Sequence, residues 1–155
     1  MFTDKQNTLN QSGKKRREKM LLKIGLNAYN VCLSLGAFYL GILMIAGKGA
    51  FDTYPPEWIG ILPFHSWMGF ALFGMIIFGF GNGIASIYGL RKKDKKNYTM
   101  TFTMGILFCF ATVISTILID EWLLPTGVFL LLSIIQIALG LLGLVIYFFT
   151  NRVFT

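Results

Sequence analysis

From Phe64 to Leu90 the chain carries no Asp, Glu, Lys or Arg, and the run RKKDKK (Arg91–Lys96) follows at once. At about 1.5 Å of rise per residue, such a stretch crosses a hydrocarbon core of about 30 Å. In lipid the backbone must satisfy its own polar groups, so a single span of this kind is a helix. The basic run marks the end that faces the cytoplasm. At 100° per residue, His65, Gly69, Ile76, Gly79 and Gly83 share one face, and Ala71, Gly74, Gly81, Ala85 and Gly89 share the opposite one. Small residues let helices approach closely where hydrophobic burial no longer drives association. A helix that is small on both sides suits a central place between two neighbours.

Three further apolar runs resemble this one in length. Only 14% of residues are charged, against about 25% for a soluble domain. The reading is an all-α integral membrane protein, one bundle of four antiparallel transmembrane helices over residues 24–46, 64–90, 98–119 and 126–150. Residues 1–23 form a basic cytoplasmic segment, and 151–155 a short tail. The first dozen residues read as lacking structure, with helix continuing into the membrane from about Lys14. Pro55 and Pro56 break the chain between helices one and two. The piece from Trp58 to Leu62 fits either a surface segment or a first kinked turn. Residues 91–97 form the loop between helices two and three.

Charge sorting gives the orientation. With both termini inside, thirteen of the fourteen Lys and Arg are cytoplasmic, leaving only Lys48 outside, while Asp52, Glu57, Asp120 and Glu121 lie outside. So strong a bias argues against dual topology. It also explains the net charge of +7 without nucleic acid. Lys14, Lys15, Arg16, Arg17, Arg91, Lys92, Lys93, Lys95 and Lys96 are candidate contacts for anionic lipid. Cys32 and Cys109 fall in apolar runs and read as free thiols packed as small hydrophobes. The first apolar run is too long for a signal-peptide core and lacks a small-residue cleavage site.

Polar residues inside the spans carry most of the remaining information, because an amide in lipid is costly unless paired. Asn27, Asn30, Ser34, Ala37 and Gly41 share a face of helix one. Thr101, Gly105, Thr112 and Ser115 share one on helix three, and Ser133, Gln136, Gly140, Gly143 and Tyr147 one on helix four. Asn30, Asn82 and Gln136 therefore point inward, either to bond across helices or to line a polar path. His65 is the only histidine. It suits a structural hydrogen bond, a pH sensor or a ligand contact, but lacks partners for a metal. No metal or cofactor is expected.

Four short helices are similar to the small multidrug-resistance family, whose membrane-embedded glutamate has no counterpart here. GNGIAS (Gly81–Ser86) resembles the Asn-containing helix of the fluoride-channel family, whose membrane-buried arginine is missing. Neither assignment holds. GFGNG (Gly79–Gly83) has no preceding strand and no Lys, so it is not a phosphate loop. Intramembrane catalysis needs an activated nucleophile, paired acids or a metal, and the serines lack such partners at matched depth. The expectation is a non-enzymatic accessory, regulatory or immunity subunit of the bacterial cytoplasmic membrane. Small-residue helix faces, with His65, Gly69, Gly79 and Gly83 foremost, would bind a larger membrane partner. The alternative is an oligomeric transporter or channel with a polar path lined by Asn30, Asn82 and Gln136.

Overall fold

The computed structural model describes residues 2–91, 94–119 and 124–152, with side chains from Gly13 onward except at 15, 16, 124, 125 and 150–152. The expectations for Lys92, Lys93, Asp120, Glu121 and the side chains of Lys15 and Arg16 lie outside the described residues.

The described residues are helical apart from turns and one isolated bridge. Helix α1 is Phe2–Ile45. Helix α2 is Trp67–Leu90, with a π-helical stretch at Met75–Phe80 between two α-helical parts. Helix α3 is Asp94–Ile119 and helix α4 is Leu124–Arg152. Each contains a segment long and apolar enough to cross a membrane: Arg17–Ile45, Trp67–Leu90, Asp94–Ile119 and Thr126–Phe149. Among the described buried residues, polar side chains outnumber apolar ones, while Leu35, Ile42, Ile76, Ile117 and Leu131 are exposed. This polar interior and apolar exterior suit a lipid solvent, and the chain has the build of an integral membrane protein.

Helix α4 extends beyond the expected 126–150 and takes in the first two residues of the expected tail. The starts of the other three helices also differ from the sequence reading, each for a physical reason. Helix α1 begins at Phe2, so residues 2–12 are helical. They contain no proline, and elongating a formed helix is far easier than nucleating one. Helix α2 starts at Trp67 instead of residue 64, because Ser66 is extended (φ −161°, ψ 158°) after Pro63. Helix α3 starts at Asp94 instead of residue 98, with Asp94 favourably placed in the first turn against the helix dipole. The loop expected over 91–97 shrinks accordingly, and Asn97 becomes helical and fully buried.

Helix α1 ends in a Schellman motif. Lys48 N–H donates to the Leu43 carbonyl at 3.2 Å and Gly47 N–H to Met44 at 3.3 Å. Gly47 takes φ +57°, which glycine adopts without a Cβ penalty. The following connection is an aromatic cap. Trp67 is its hub, with ring centroids 5.1 Å from Phe51, 5.2 Å from Tyr54 and 5.8 Å from Trp58. Its indole N–H donates to the Thr53 carbonyl at 3.0 Å. The Tyr54 hydroxyl donates to the Phe64 carbonyl at 2.8 Å, and desolvation pushes its pKa up. The piece from Trp58 to Leu62 is not the first turn of α2, which begins at Trp67. It is a tight turn through Gly60 (φ +89°) that buries Leu62 and exposes Ile59 and Ile61.

Close helix contacts run through glycine. A Cβ on Gly140 would fall 2.6 Å from Phe102 N, and one on Gly105 would fall 2.8 Å from Ile137 N. Helices α3 and α4 thus meet backbone to backbone. Gly79 rests on the Phe38 ring of α1 and Gly81 on Met104 of α3. Helix α2 therefore packs between α1 and α3.

Candidate functional site

The interior of the bundle holds a column of amides and hydroxyls. Its base is an ion pair between Lys23 Nζ of α1 and Asp94 Oδ1 of α3, 2.5 Å apart and partly exposed. Next comes a tier where Asn27 of α1 and Asn97 of α3 converge on Gly89 of α2. Only a glycine leaves room there, because a Cβ would collide with both amides. One tier further, Asn30 Nδ2 donates to Thr101 Oγ1 at 2.7 Å, and the Thr101 hydroxyl donates to the Asn97 carbonyl at 2.9 Å.

The last tier is built on the π-helical stretch of α2. A wider turn disturbs the regular hydrogen-bond ladder and leaves carbonyls to be satisfied from elsewhere. The Ser34 hydroxyl of α1 donates to the Gly79 carbonyl at 2.7 Å. Asn82 Nδ2 donates to the Phe78 carbonyl at 2.8 Å, and Asn82 Oδ1 accepts from Gln136 Nε2 of α4 at 2.5 Å. The Tyr29 hydroxyl adds a second link from α1 to α4, donating to the Leu132 carbonyl at 2.7 Å. Asn30, Asn97, Thr101, Ser133 and Gln136 are fully buried, and Asn82 nearly so.

Several polar atoms of the column have no partner among the described residues: Asn27 Oδ1, Asn30 Oδ1, Asn97 Oδ1 and Nδ2, and Gln136 Oε1. A buried amide atom left unpaired costs about 1–3 kcal/mol. Uncharged amides neither transfer protons near neutrality nor act as nucleophiles. Their chemistry is hydrogen bonding, to each other, to water or to a polar solute.

The sequence-chosen residues divide into three groups. Asn27, Asn30, Asn82 and Gln136 belong to the column. Gly79 and Gly83 face α1, the latter with a Cβ position 3.4 Å from Ser34 Oγ. His65 and Gly69 do not share that face. His65 is exposed and precedes α2, and Gly69 lies under Phe64 of the aromatic cap. The π-helical stretch also breaks the 100° register on which the grouping rested. Of the basic candidates, Lys14, Arg17, Arg91, Lys95 and Lys96 are all exposed. Asn97 and the Lys23–Asp94 pair were missed, because both sit in runs whose polarity reads as loop or tail. Among the described residues, no cluster of three or more His, Cys, Asp or Glu is placed to hold a metal.

Comparison with known proteins finds no matching family, no matching curated protein and no matching solved structure.

Proposed function

We propose that this protein is a non-enzymatic accessory subunit of the bacterial cytoplasmic membrane, regulating or protecting a larger membrane protein. Its four helices run antiparallel with both termini in the cytoplasm. One observation carries the reading. Gly79, Gly81, Gly89, Gly105, Gly140 and Gly143 are all filled by neighbours within the chain, whereas Gly25 and Gly36 of α1 meet nothing. Together with the exposed Ala28 and Cys32, they fall in a sector of about 80° at 100° per residue. This open small-residue face permits a further helix to approach closely. It replaces the Gly79–Gly83 face as the docking surface, since α1 already covers that one.

Affinity purification in mild detergent tests the proposal. The expected result is a stoichiometric membrane partner that is lost in the G25L/G36L variant. Recovery of a lone monomer under several gentle conditions would sink it.

The unpartnered amides support a second reading, a self-associated transporter or channel with Asn30, Asn82 and Gln136 on a polar path. Within one protomer Asn82 and Gln136 bind each other, so a path there requires that bond to open. Absence of solute or ion flux in proteoliposomes would remove this reading.

A further inference from the structure

A second polar feature lies on the outside of the bundle, at its basic end. A groove of about 370 Å³ is lined by Tyr88 of α2 and by Lys95, Lys96, Thr99, Met100 and Thr103 of α3. Lys95, Thr99 and Thr103 are exposed and recur every four residues, so they stack along one side of α3. From Lys95 to Thr103 the helix rises about 12 Å.

Each of the two lysines at the mouth of the groove lies beside an aromatic ring, one inside the lining and one on α4 outside it. Lys96 Nζ lies 5.9 Å from the Tyr88 ring centroid, and Lys95 Nζ lies 5.9 Å from that of Phe148 on α4. Neither lysine pairs with a carboxylate among the described residues, since the adjacent Asp94 is taken by Lys23. The hydroxyls are unusual in their own way. Elsewhere on α3, Thr101, Thr112 and Thr116 bond back to the carbonyl four residues before. Thr99 and Thr103 form no such bond among the described residues, yet they face outward along a membrane-spanning helix.

We propose that this groove is a binding site for one anionic phospholipid, with its phosphate at Lys95 and Lys96 and its glycerol esters at Thr99 and Thr103. The acyl chains then run on along Met100 and the apolar surface beyond Thr103. Two cations without a carboxylate disfavour a zwitterionic headgroup, which would bring its own ammonium against them. A free phosphate would use the mouth alone and leave the hydroxyls unmet. This site is independent of the small-residue face on α1.

Native mass spectrometry of the full chain, offered equal phosphatidylglycerol and phosphatidylcholine, tests the assignment. Phosphatidylglycerol should be retained in preference. Near an anionic surface each lysine contributes about fivefold to binding, so K95Q/K96Q should reduce that retention about 30-fold, while K95R/K96R keeps it. T99V/T103V, which leaves every charge in place, should weaken retention several-fold and serves as an independent readout. K14Q/R17Q, which removes the same charge from other candidate lipid contacts, should weaken retention far less than K95Q/K96Q. Equal loss in K14Q/R17Q and K95Q/K96Q would mean diffuse attraction and overturn the site. So would equal retention of both lipids, unchanged retention in K95Q/K96Q, or displacement of the lipid by equimolar glycerol 3-phosphate.

Discussion

Asn82 shows what a single side chain does in a lipid-solvated protein. Its amide nitrogen caps a carbonyl of the π-helical stretch, and its oxygen receives Gln136 from α4. The sequence identifies both residues as inward-facing, because an amide in an uncharged apolar run needs a polar neighbour. Which amides pair is not legible. Asn30 finds Thr101 and not Asn82, and that choice depends on helix rotations no local pattern encodes. A double-mutant cycle with N82A and Q136A, followed by unfolding in mixed micelles, should give a coupling energy of about 1 kcal/mol. The backbone cap lost in N82A cancels from the cycle. A coupling indistinguishable from zero would show that the pair contributes nothing beyond its separate side chains.

At the scale of elements, the inward faces of α1, α3 and α4 were readable from their periodicity. Ser34, Thr101, Thr112, Ser133 and Gln136 are all buried, as a 3.6-residue repeat predicts. Helix α2 resisted the same reading. Its π-helical stretch shifts the register midway, and no residue type in MIIFGF announces it. Asn97 was lost for a different reason: it follows RKKDKK, and a charged run looks like a loop even when a helix N-terminus occupies it. Glycine contacts discriminate between elements further. A Cβ on Gly140 meets the backbone of Phe102, which cannot rotate aside, whereas Gly127 faces open space. G140A should therefore destabilise the bundle by about 1–3 kcal/mol. G127A should be neutral or slightly stabilising, since alanine favours helix by up to about 1 kcal/mol over glycine. Gly79 meets a ring edge at 3.0 Å, so G79A should fall between them. Equal midpoints for G140A and G127A in detergent unfolding would contradict the close α3–α4 approach.

Across the whole molecule, the fold and the charge pattern make one joint prediction about orientation. Helix α1 spans 44 residues, or about 66 Å, and exceeds a hydrocarbon core of about 30 Å. Its excess lies at the end bearing Lys14, Arg17 and Lys19. Lys23 of that same end is tied to Asp94, which places the N-terminal basic segment and the start of α3, with Lys95 and Lys96, on one side of the bundle. The aromatic cap, with Asp52 and Glu57, occupies the other. Positive charge is retained on the cytoplasmic side during insertion, and aromatic residues gather at interfaces. The cap should therefore face outward. A membrane-impermeant maleimide should label D52C in intact cells and R91C only after the cells are opened. The native Cys32 and Cys109 are replaced by serine for this measurement, so that each signal reports one position. Labelling of R91C from outside would invert the molecule. It would also carry Lys95 and Lys96 to the outer leaflet, so the lipid site would then have to be sought among the lipids of that leaflet. Labelling of both positions in intact cells would instead indicate mixed insertion, against the expectation from the sequence that thirteen of the fourteen basic residues lie on one side.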